Sequence, residues 1–385
     1  MVSMVKNLFF GKNKKNEDSL DNNAIELATQ RQLIWRRFKR HRLGFTASIV
    51  VILFYLVVLF ADFLSTAPPV DYAAARGYMP PQPVKFFQNG HFMSTCEVTG
   101  ERNMDTFLME FTENCDNAEG ITFFGKGYEY KLWGVLSTDR HILGMKDQTK
   151  DPNAWIHLFG TDKQGRDVFS RTMHATRVSL TIGLVGVALS IIFGIFLGAI
   201  SGYYGGLIDS LIQRFIEIIR SVPTIPLYMG LSSAFPDDWT INQVYFMITV
   251  IISLFAWTDL ARVIRGRFLA LKDEDFVTAA RLNGAKTMRV IFVHMLPSFY
   301  SHIIAQASLA LPLMIVTETS LSFLGLGLRP PAVSYGVLLK DAQNVQSVAN
   351  MPWLFIPAIA VVLVILALNF MGDGIRDAAD PYQEV

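Results

Sequence analysis

Polar side chains interrupt an apolar stretch at Ser298–Leu324, and they are the first candidates for chemistry in this sequence. Intramembrane polar residues usually face a path or a partner helix, where they can hydrogen-bond to a polar solute. At about 100° per residue, four of them fall within about 60° of one another on a helix. These four are His302, Gln306, Thr317 and Ser320. Glu318 projects from the opposite face, and Pro312 would distort the spacing.

Two interpretations of this polar stripe stay open at this stage. In one, the four residues face a translocation path while Glu318 fixes a neighbouring helix or gate. In the other, all of them form hydrogen bonds between helices and touch no substrate. A second polar group, Arg214, Glu217 and Arg220, has the (i, i+3) spacing of an ion-pair ladder.

Apolar segments of membrane length must position these residues. The 385-residue chain is 51% hydrophobic with a mean hydropathy of +0.32, and a bilayer core needs about 20 apolar residues per helix. Prolines and polar residues in two of the segments indicate positions inside a bundle, where neighbours satisfy freed backbone groups. The pattern predicts an all-α membrane protein with six spans: Leu43–Ser65, Val178–Gly202, Leu207–Ala234, Gln243–Ala261, Ser298–Leu324 and Leu354–Gly372.

Basic residues near the span ends predict the orientation. Six Lys and Arg residues lie in Arg31–Arg42, before the first span, and seven more lie in the loop 262–297 after the fourth. Because cytoplasmic loops are enriched in Lys and Arg, both termini and this loop are expected in the cytoplasm. The net charge of +1 gives no basic surface for nucleic acid.

The organisation along the chain follows from these spans. We expect a flexible cytoplasmic tail at 1–30, an amphipathic segment and first span at 31–66, an extracytoplasmic insertion lobe at 67–154, and a five-span core at 155–385. Aromatic alternation in Ile121–Trp133 predicts short strands within the lobe.

Both cysteines, Cys96 and Cys115, fall in the lobe, which would lie in an oxidising compartment. A disulfide between them would close a loop of about 20 residues and contribute about 3 kcal/mol. His91 is a lone imidazole nearby and no CxxC spacing occurs, so no metal site is predicted.

The cytoplasmic loop contains a short predicted helix between Asp273 and Gly284. Asp273 or Asp275 can cap its N-terminus, and Gly284 suits the position after its last turn. Acidic residues lie at the positive end of the helix dipole. This helix is tethered at both ends to membrane spans.

Its side chains favour docking of a soluble partner. Phe276, Val277 and Leu282 supply an apolar face that a cytoplasmic loop would not normally expose. Ala279 and Ala280 are small enough for another surface to approach the helix backbone. An amphipathic helix with such a face is typical of helix-in-groove recognition.

Thr278–Ala280, Gly284 and Leu296-Pro297 together resemble the EAA loop of permease subunits in bacterial ABC importers. In that family the loop is a coupling helix that sits in a cleft of the ATPase subunit. Thr278 stands where a glutamate is usual, and His294 where an isoleucine is common. The resemblance implies a docking role for Asp273, Glu274, Phe276, Thr278, Ala279, Ala280, Arg281 and Gly284.

Further stretches at the span boundaries narrow the resemblance. They are FGTDKQGRD at 159–167, GYYGGLID at 202–209, LSFLGLG at 321–327 and GDGIRDAADP at 372–381. Together they look like the second of two permease subunits in the dipeptide/oligopeptide/nickel group of importers. This likeness implies a fold like that of type I ABC importers, in the bacterial inner membrane. It also implies four partners: a homologous permease, two ATPase subunits and an extracytoplasmic binding protein.

Peptides are the implied substrates, with nickel chelates and oligosaccharides as alternatives within the group. ATP and Mg²⁺ would bind the ATPase partners, and no cofactor is expected in this chain. No GxxxxGK[ST], HExxH or GxSxG pattern occurs, so no catalytic residue is predicted. An ion-gradient transporter would predict inverted repeats and buried carboxylates at mid-membrane. A membrane scaffold that displays the lobe is a third possibility.

Overall fold

The computed structural model describes residues 30–88, 91–102, 104, 109–146, 155–236, 238–344 and 349–379. Five helical stretches in these ranges are long and apolar enough to cross a membrane: Arg42–Leu64, Val168–Tyr204, Ile241–Leu271, Thr287–Phe323 and Pro352–Ala379. They confirm five of the six predicted spans. The predicted tail, 1–30, lies outside the described residues except for Gln30, which begins the first helix.

Ten helices are labelled in chain order among the described residues. They are α1 Gln30–Arg40, α2 Arg42–Leu64, α3 Val168–Tyr204, α4 Gly206–Ser221, α5 Thr224–Ser233, α6 Ile241–Leu271, α7 Asp275–Leu282, α8 Tyr300–Phe323, α9 Tyr335–Ala342 and α10 Ile356–Ala379. A π-helical turn at Val290–Met295 and a 3₁₀ turn at Leu296–Phe299 lead into α8.

The third predicted span consists of two shorter helices. Between α4, with 16 residues, and α5, with 10, the backbone is extended at Val222 and Pro223. Proline lacks the amide hydrogen that a continuous helix needs, so Pro223 ends the regular hydrogen bonding. Pro226 lies in the first turn of α5. Amide groups there have no acceptor within the helix, so a proline costs no hydrogen bond.

Helix α3 begins earlier than the second predicted span. It is continuous from Val168, ten residues before the predicted start at Val178. The Asp167 carboxylate caps it by accepting a hydrogen bond from the Ser170 amide at 2.6 Å. At about 1.5 Å per residue, its 37 residues span about 55 Å, well beyond a hydrocarbon core of about 30 Å.

Small residues bring α3 and α6 into close contact. A Cβ atom on Gly198 would lie 2.5 Å from the Ala261 carbonyl oxygen, and one on Gly202 would lie 2.6 Å from the Phe268 Cβ. These glycines recur every four residues with Gly194, so they share one face of α3. Such small-residue faces allow membrane helices to approach backbone to backbone.

The insertion folds as an antiparallel β lobe. Its strands are β1 Val84–Gln88, β2 His91–Arg102, β3 Met109–Phe123, β4 Lys126–Leu132, β5 Leu136–Arg140 and β6 Leu143–Met145. One sheet has the order β1-β2-β3-β6, and β4 pairs with β5 in a hairpin. The strands predicted from Ile121–Trp133 are therefore present. A disulfide joins Cys96 on β2 to Cys115 on the neighbouring β3.

The last turns of α2 are bonded to the lobe and to α3 through main-chain carbonyl groups. Two of these carbonyl groups, those of Asp62 and Phe63, are among the last four of the helix, which have no partner within it. The pairs are Val58 O with Arg177 Nε at 3.0 Å, Leu59 O with Trp133 Nε1 at 3.0 Å, Asp62 O with His141 Nδ1 at 2.9 Å, and Phe63 O with the Ile142 amide at 2.8 Å.

Candidate functional site

Helix α7 lies within the segment where the sequence predicted a cytoplasmic helix. Its N-cap residue is Glu274, and no side-chain hydrogen bond caps it, so the predicted cap by Asp273 or Asp275 is wrong. At the other end, Gly284 has φ +77°, its amide donates to the Arg281 carbonyl, and the Ala285 amide donates to the Ala280 carbonyl. This Schellman arrangement ends the helix after two turns.

The inner face of α7 packs against the bundle. Val277 is fully buried in an apolar cluster with Ala199 of α3 and with Ile264 and Phe268 of α6. Ala280 is half-buried against the same cluster. Helix α7 therefore packs against both α3 and α6, which are in close contact with each other along the glycine face of α3.

The outer face of α7 is open. Leu282 is 84% exposed and Phe276 41%, and the side chains of Thr278 and Ala279 are exposed as well. The predicted apolar face of Phe276, Val277 and Leu282 is thus divided, because Val277 points inward. The outer side of this short helix therefore exposes two large apolar side chains.

Charged residues surround this surface. Asp273 and Glu274 are exposed before the helix. The guanidinium of Arg281 lies 5.1 Å from the centre of the Tyr203 ring, a cation–π distance that links α7 to the end of α3. Asp209, in the GYYGGLID stretch, accepts two hydrogen bonds of 2.5 Å from Arg265 of α6. The first turn of α4 is therefore joined to α6 by a bidentate ion pair.

A cavity of about 390 Å³ lies between α3, α5, α6 and α8. Gln306 and Thr317 line it, whereas His302, which is half-buried, and Ser320, which is exposed, do not. The structure therefore brings together two of the four residues in the predicted stripe. Further polar groups at the cavity were missed, because they come from three other helices that are distant in the sequence: Ser190, Thr224, Tyr228 and Asp259.

An ion pair stands beside this cavity. Arg220, the penultimate residue of α4, donates a hydrogen bond to the carboxylate of Asp259 on α6. The predicted ladder is correct only for Arg214 and Glu217, whose side chains lie 2.9 Å apart. Since α4 ends where Pro223 breaks the span, the Arg220–Asp259 pair joins that break to α6.

Glu318 occupies a fully buried position between three helices. It accepts hydrogen bonds from Ser179 Oγ of α3 at 2.7 Å and from Ser322 Oγ of its own helix at 2.8 Å. Ser179 Oγ also lies 3.4 Å from the amide of Tyr335, the first residue of α9. Glu318 is thus not at the cavity, and its contacts connect α8 with α3 and α9.

Three buried charged residues and the partly exposed Asp341 form a cluster at the end of the bundle that carries the lobe. Asp162 accepts hydrogen bonds from Arg166 Nε at 2.7 Å and from Arg171, and Arg166 Nη2 donates to Asp341 at 3.1 Å. Burial raises the pKa of Asp341, and the charges of Arg171 and Arg166 oppose that rise. The FGTDKQGRD stretch is therefore a structural junction between α3 and α9.

Comparisons with known proteins agree on the kind of molecule. Residues 194–384 match the family described as binding-protein-dependent transport system inner membrane component. Residues 29–81 match the N-terminal transmembrane domain of oligopeptide transport permease C. The oligopeptide transport system permease protein OppC of Haemophilus influenzae is 39% identical over 260 residues, which cover 67% of this chain and 78% of that protein.

Another relative includes the lobe. The dipeptide transport system permease protein DppC of Lactococcus lactis is 31% identical over 373 residues, which cover 95% of both chains. OppC of Bacillus subtilis is 34% identical over 255 residues, covering 66% of this chain and 77% of that protein. Because the lactococcal alignment leaves only about 5% of this chain uncovered, it must include most of the residues of the lobe.

Proposed function

Because the chain belongs to the family of inner membrane components of binding-protein-dependent transport systems, we propose that it forms one half of the translocation path of an ATP-driven peptide importer. The names of its relatives, which are oligopeptide and dipeptide permeases, support peptides as the substrate class. ATP and Mg²⁺ bind two separate ATPase subunits, and this chain contributes no catalytic residue. An extracytoplasmic binding protein delivers the peptide on the lobe's side.

The observation that carries this proposal is the division of α7 into two faces. Leu282 and Phe276 face outward, ready to enter a cleft on an ATPase subunit, while Val277 packs beneath them against α3 and α6. Closure of the two ATPase subunits then moves α7, and the apolar cluster transmits that movement to the helices around the cavity. In this orientation α7 and both chain termini face the cytoplasm.

The cavity provides this chain's half of the path. Gln306 and Thr317 offer amide and hydroxyl groups that can replace the water bound to a peptide backbone. A homologous permease supplies the other half and covers an apolar face of α4, whose members are widely exposed: Leu207, Leu211, Phe215 and Ile218. Spans two to five then alternate between openings towards the lobe and towards the cytoplasm.

Co-purification of ATPase subunits with matched variants of α7 tests the docking role. Leu282→Glu places a charge on the most exposed apolar residue and should abolish co-purification, because a carboxylate would be buried unpaired in the cleft. Thr278→Glu adds the same charge one helical turn earlier, where the family commonly has glutamate, and should retain the ATPase subunits. Both side chains are exposed, so neither change disturbs the core.

Equal retention of the ATPase subunits by both variants would refute α7 as the docking element. Ala280 is a poorer site for such a test, because it is half-buried and a bulky replacement would also disturb the packing of α7.

Peptide uptake tests the path. Replacing both Gln306 and Thr317 with leucine should reduce uptake of a radiolabelled peptide several-fold while the complex still assembles. Ser320→Leu, on the same helix but outside the cavity, is the control and should transport normally. Unchanged uptake in the double variant would favour the alternative in which these residues serve helix packing alone. If a nickel chelate or an oligosaccharide competed with the radiolabelled peptide for uptake, that compound class would replace peptides as the proposed substrate.

A further inference from the structure

The hairpin of β4 and β5 ends in a tight turn with an unusual residue. Trp133 and Gly134 form the two central positions, with φ of +53° and +74°. Two successive residues with positive φ are typical of the type I′ turn, in which asparagine or aspartate normally precedes glycine. A tryptophan in this position is uncommon, since positive φ is disfavoured for side chains with a Cβ. The large ring is therefore placed at the tip despite a backbone cost.

The tip lies at the level of the membrane helix rather than above it. Trp133 Nε1 donates a hydrogen bond of 3.0 Å to the carbonyl of Leu59, and its ring centre lies 5.8 Å from that of Phe60. Leu59 precedes the last residue of α2 by five positions, or about 7.5 Å at 1.5 Å per residue. It also precedes Asp62, where the apolar run of α2 ends. Seen from the lobe, the tip therefore extends past Asp62 and lies beside the apolar part of α2.

The side chains around the tip are apolar and exposed. Val135 is 82% exposed, and Trp133 and Leu136 are each more than half exposed. A water-soluble turn would normally carry polar residues at these positions. The exposed surface of α2 continues directly towards them, since Ile52, Leu56 and Leu59 are also exposed along one side of that helix. One apolar surface therefore runs from the middle of the span to the tip of the hairpin.

We propose that the hairpin tip inserts into the lipid leaflet on the lobe's side of the membrane and anchors the lobe there. Continuity with the exposed side of an apolar membrane helix is the reason for choosing lipid as the partner. Trp133 has the amphipathic ring that concentrates at membrane interfaces, and its N–H already has a protein acceptor. Lys131, two residues earlier and exposed, can extend its ammonium group to the headgroup phosphates.

Site-directed spin labelling tests this insertion. The two native cysteines are bonded to each other, so Val135→Cys gives a single reactive thiol in the full chain. The control is Glu101→Cys, which is exposed and pairs with Glu110 near the start of β3. From there β3 extends about 43 Å, at 3.3 Å per residue, to its end near α2. Both proteins are purified with their partner subunits and reconstituted into phosphatidylcholine–phosphatidylglycerol nanodiscs.

Collisions with oxygen, which concentrates in lipid, are compared with collisions with a water-soluble nickel chelate. The proposal expects a ratio of oxygen to nickel accessibility several-fold higher at position 135 than at position 101. Adding Leu136→Glu to the labelled protein should lower that ratio, because a carboxylate withdraws from hydrocarbon. Equal, water-like ratios at both positions would overturn the proposal. An immobile label at position 135, inaccessible to both reagents, would also overturn it by identifying a protein partner at the tip.

Discussion

Helix α7 and the β4–β5 hairpin stand at opposite ends of the bundle, and both present large apolar side chains outward. Leu282 on α7 and Val135 on the hairpin are each more than four-fifths exposed. They differ in how they are attached. Val277 holds α7 to the bundle by apolar packing, whereas the hairpin is bonded to α2 by Trp133 and its two strands pair with each other.

This difference matches what each end has to do. An element that transmits movement must be in close contact with the helices it moves, and apolar packing against α3 and α6 provides such contact without directional bonds. An element that holds a lobe in place gains from directional hydrogen bonds to a helix end, because these fix one orientation. In this interpretation, side-chain packing lets α7 transmit movement, and hydrogen bonds to main-chain carbonyl groups of α2 fix the position of the lobe.

The largest loss of stability is expected at the lobe end, in the charge cluster around Asp162. Asp162→Ala removes the carboxylate that Arg166 and Arg171 share, and it leaves two buried guanidinium groups underpaired. Losing one partner of a buried ion pair costs about 3–5 kcal/mol. The free energy of unfolding, measured by titrating the purified chain with a denaturing detergent, should fall by about that amount.

Glu217→Ala is the control for this experiment. Its pair with Arg214 is more than half exposed on both sides, and exposed pairs contribute about 0–1 kcal/mol. Similar losses in both variants would show that the cluster at Asp162 is not a stabilising junction.

The disulfide tests whether the lobe is stabilised independently of the coupling end. Replacing both Cys96 and Cys115 with serine opens a loop of about 20 residues and should cost about 3 kcal/mol within the lobe. Limited proteolysis should then cleave the lobe faster, while ATPase subunits still co-purify, because the bridge is remote from α7. Loss of the ATPase subunits in this variant would contradict the separation of the two ends.

The two ends also differed in how far the sequence could predict them. The helix around α7 was predicted from its amphipathic pattern and from Gly284, since local residue types determine helix ends. Which of its apolar residues face inward could not be predicted, because Val277 is buried by α3 and α6, whose close approach depends on glycines far away in the sequence.

The lobe's attachment left no comparable pattern. Aromatic alternation predicted its strands, but Trp133 and Ile142 bind main-chain carbonyl groups of α2, which every residue type has. The cavity shows the same limit, because its polar lining comes from four separate helices. Long-range contacts between backbones and between separate helices therefore account for most of what the sequence did not show.

A smaller loss of stability is expected when the inner face and the outer face of α7 are mutated one at a time. Val277→Ala removes two buried methyl-sized groups and should lower the free energy of unfolding by roughly 1.6 kcal/mol, at about 0.8 kcal/mol per group. ATPase subunits should still co-purify, since the outer face is intact, but peptide uptake should fall. Leu282→Ala should do the opposite, with unchanged stability and weaker ATPase binding. If both variants behave alike, the division into a docking face and a packing face is wrong.

The smallest effect is expected at the tip of the hairpin. Trp133→Phe keeps an aromatic ring and removes the N–H that binds the Leu59 carbonyl, a bond worth about 1 kcal/mol net. Because Ile142 donates to the Phe63 carbonyl at the same helix end, its amide should exchange with deuterium about fivefold faster, the rate change that 1 kcal/mol gives. Hydrogen-exchange mass spectrometry of the peptide containing Ile142 measures this change. Trp155→Phe, which removes an indole bond to Asp71 instead, should leave it unchanged. Equal exchange in both variants would mean that the lobe holds its position without the bond from Trp133, through the bonds of His141 and Ile142 to α2.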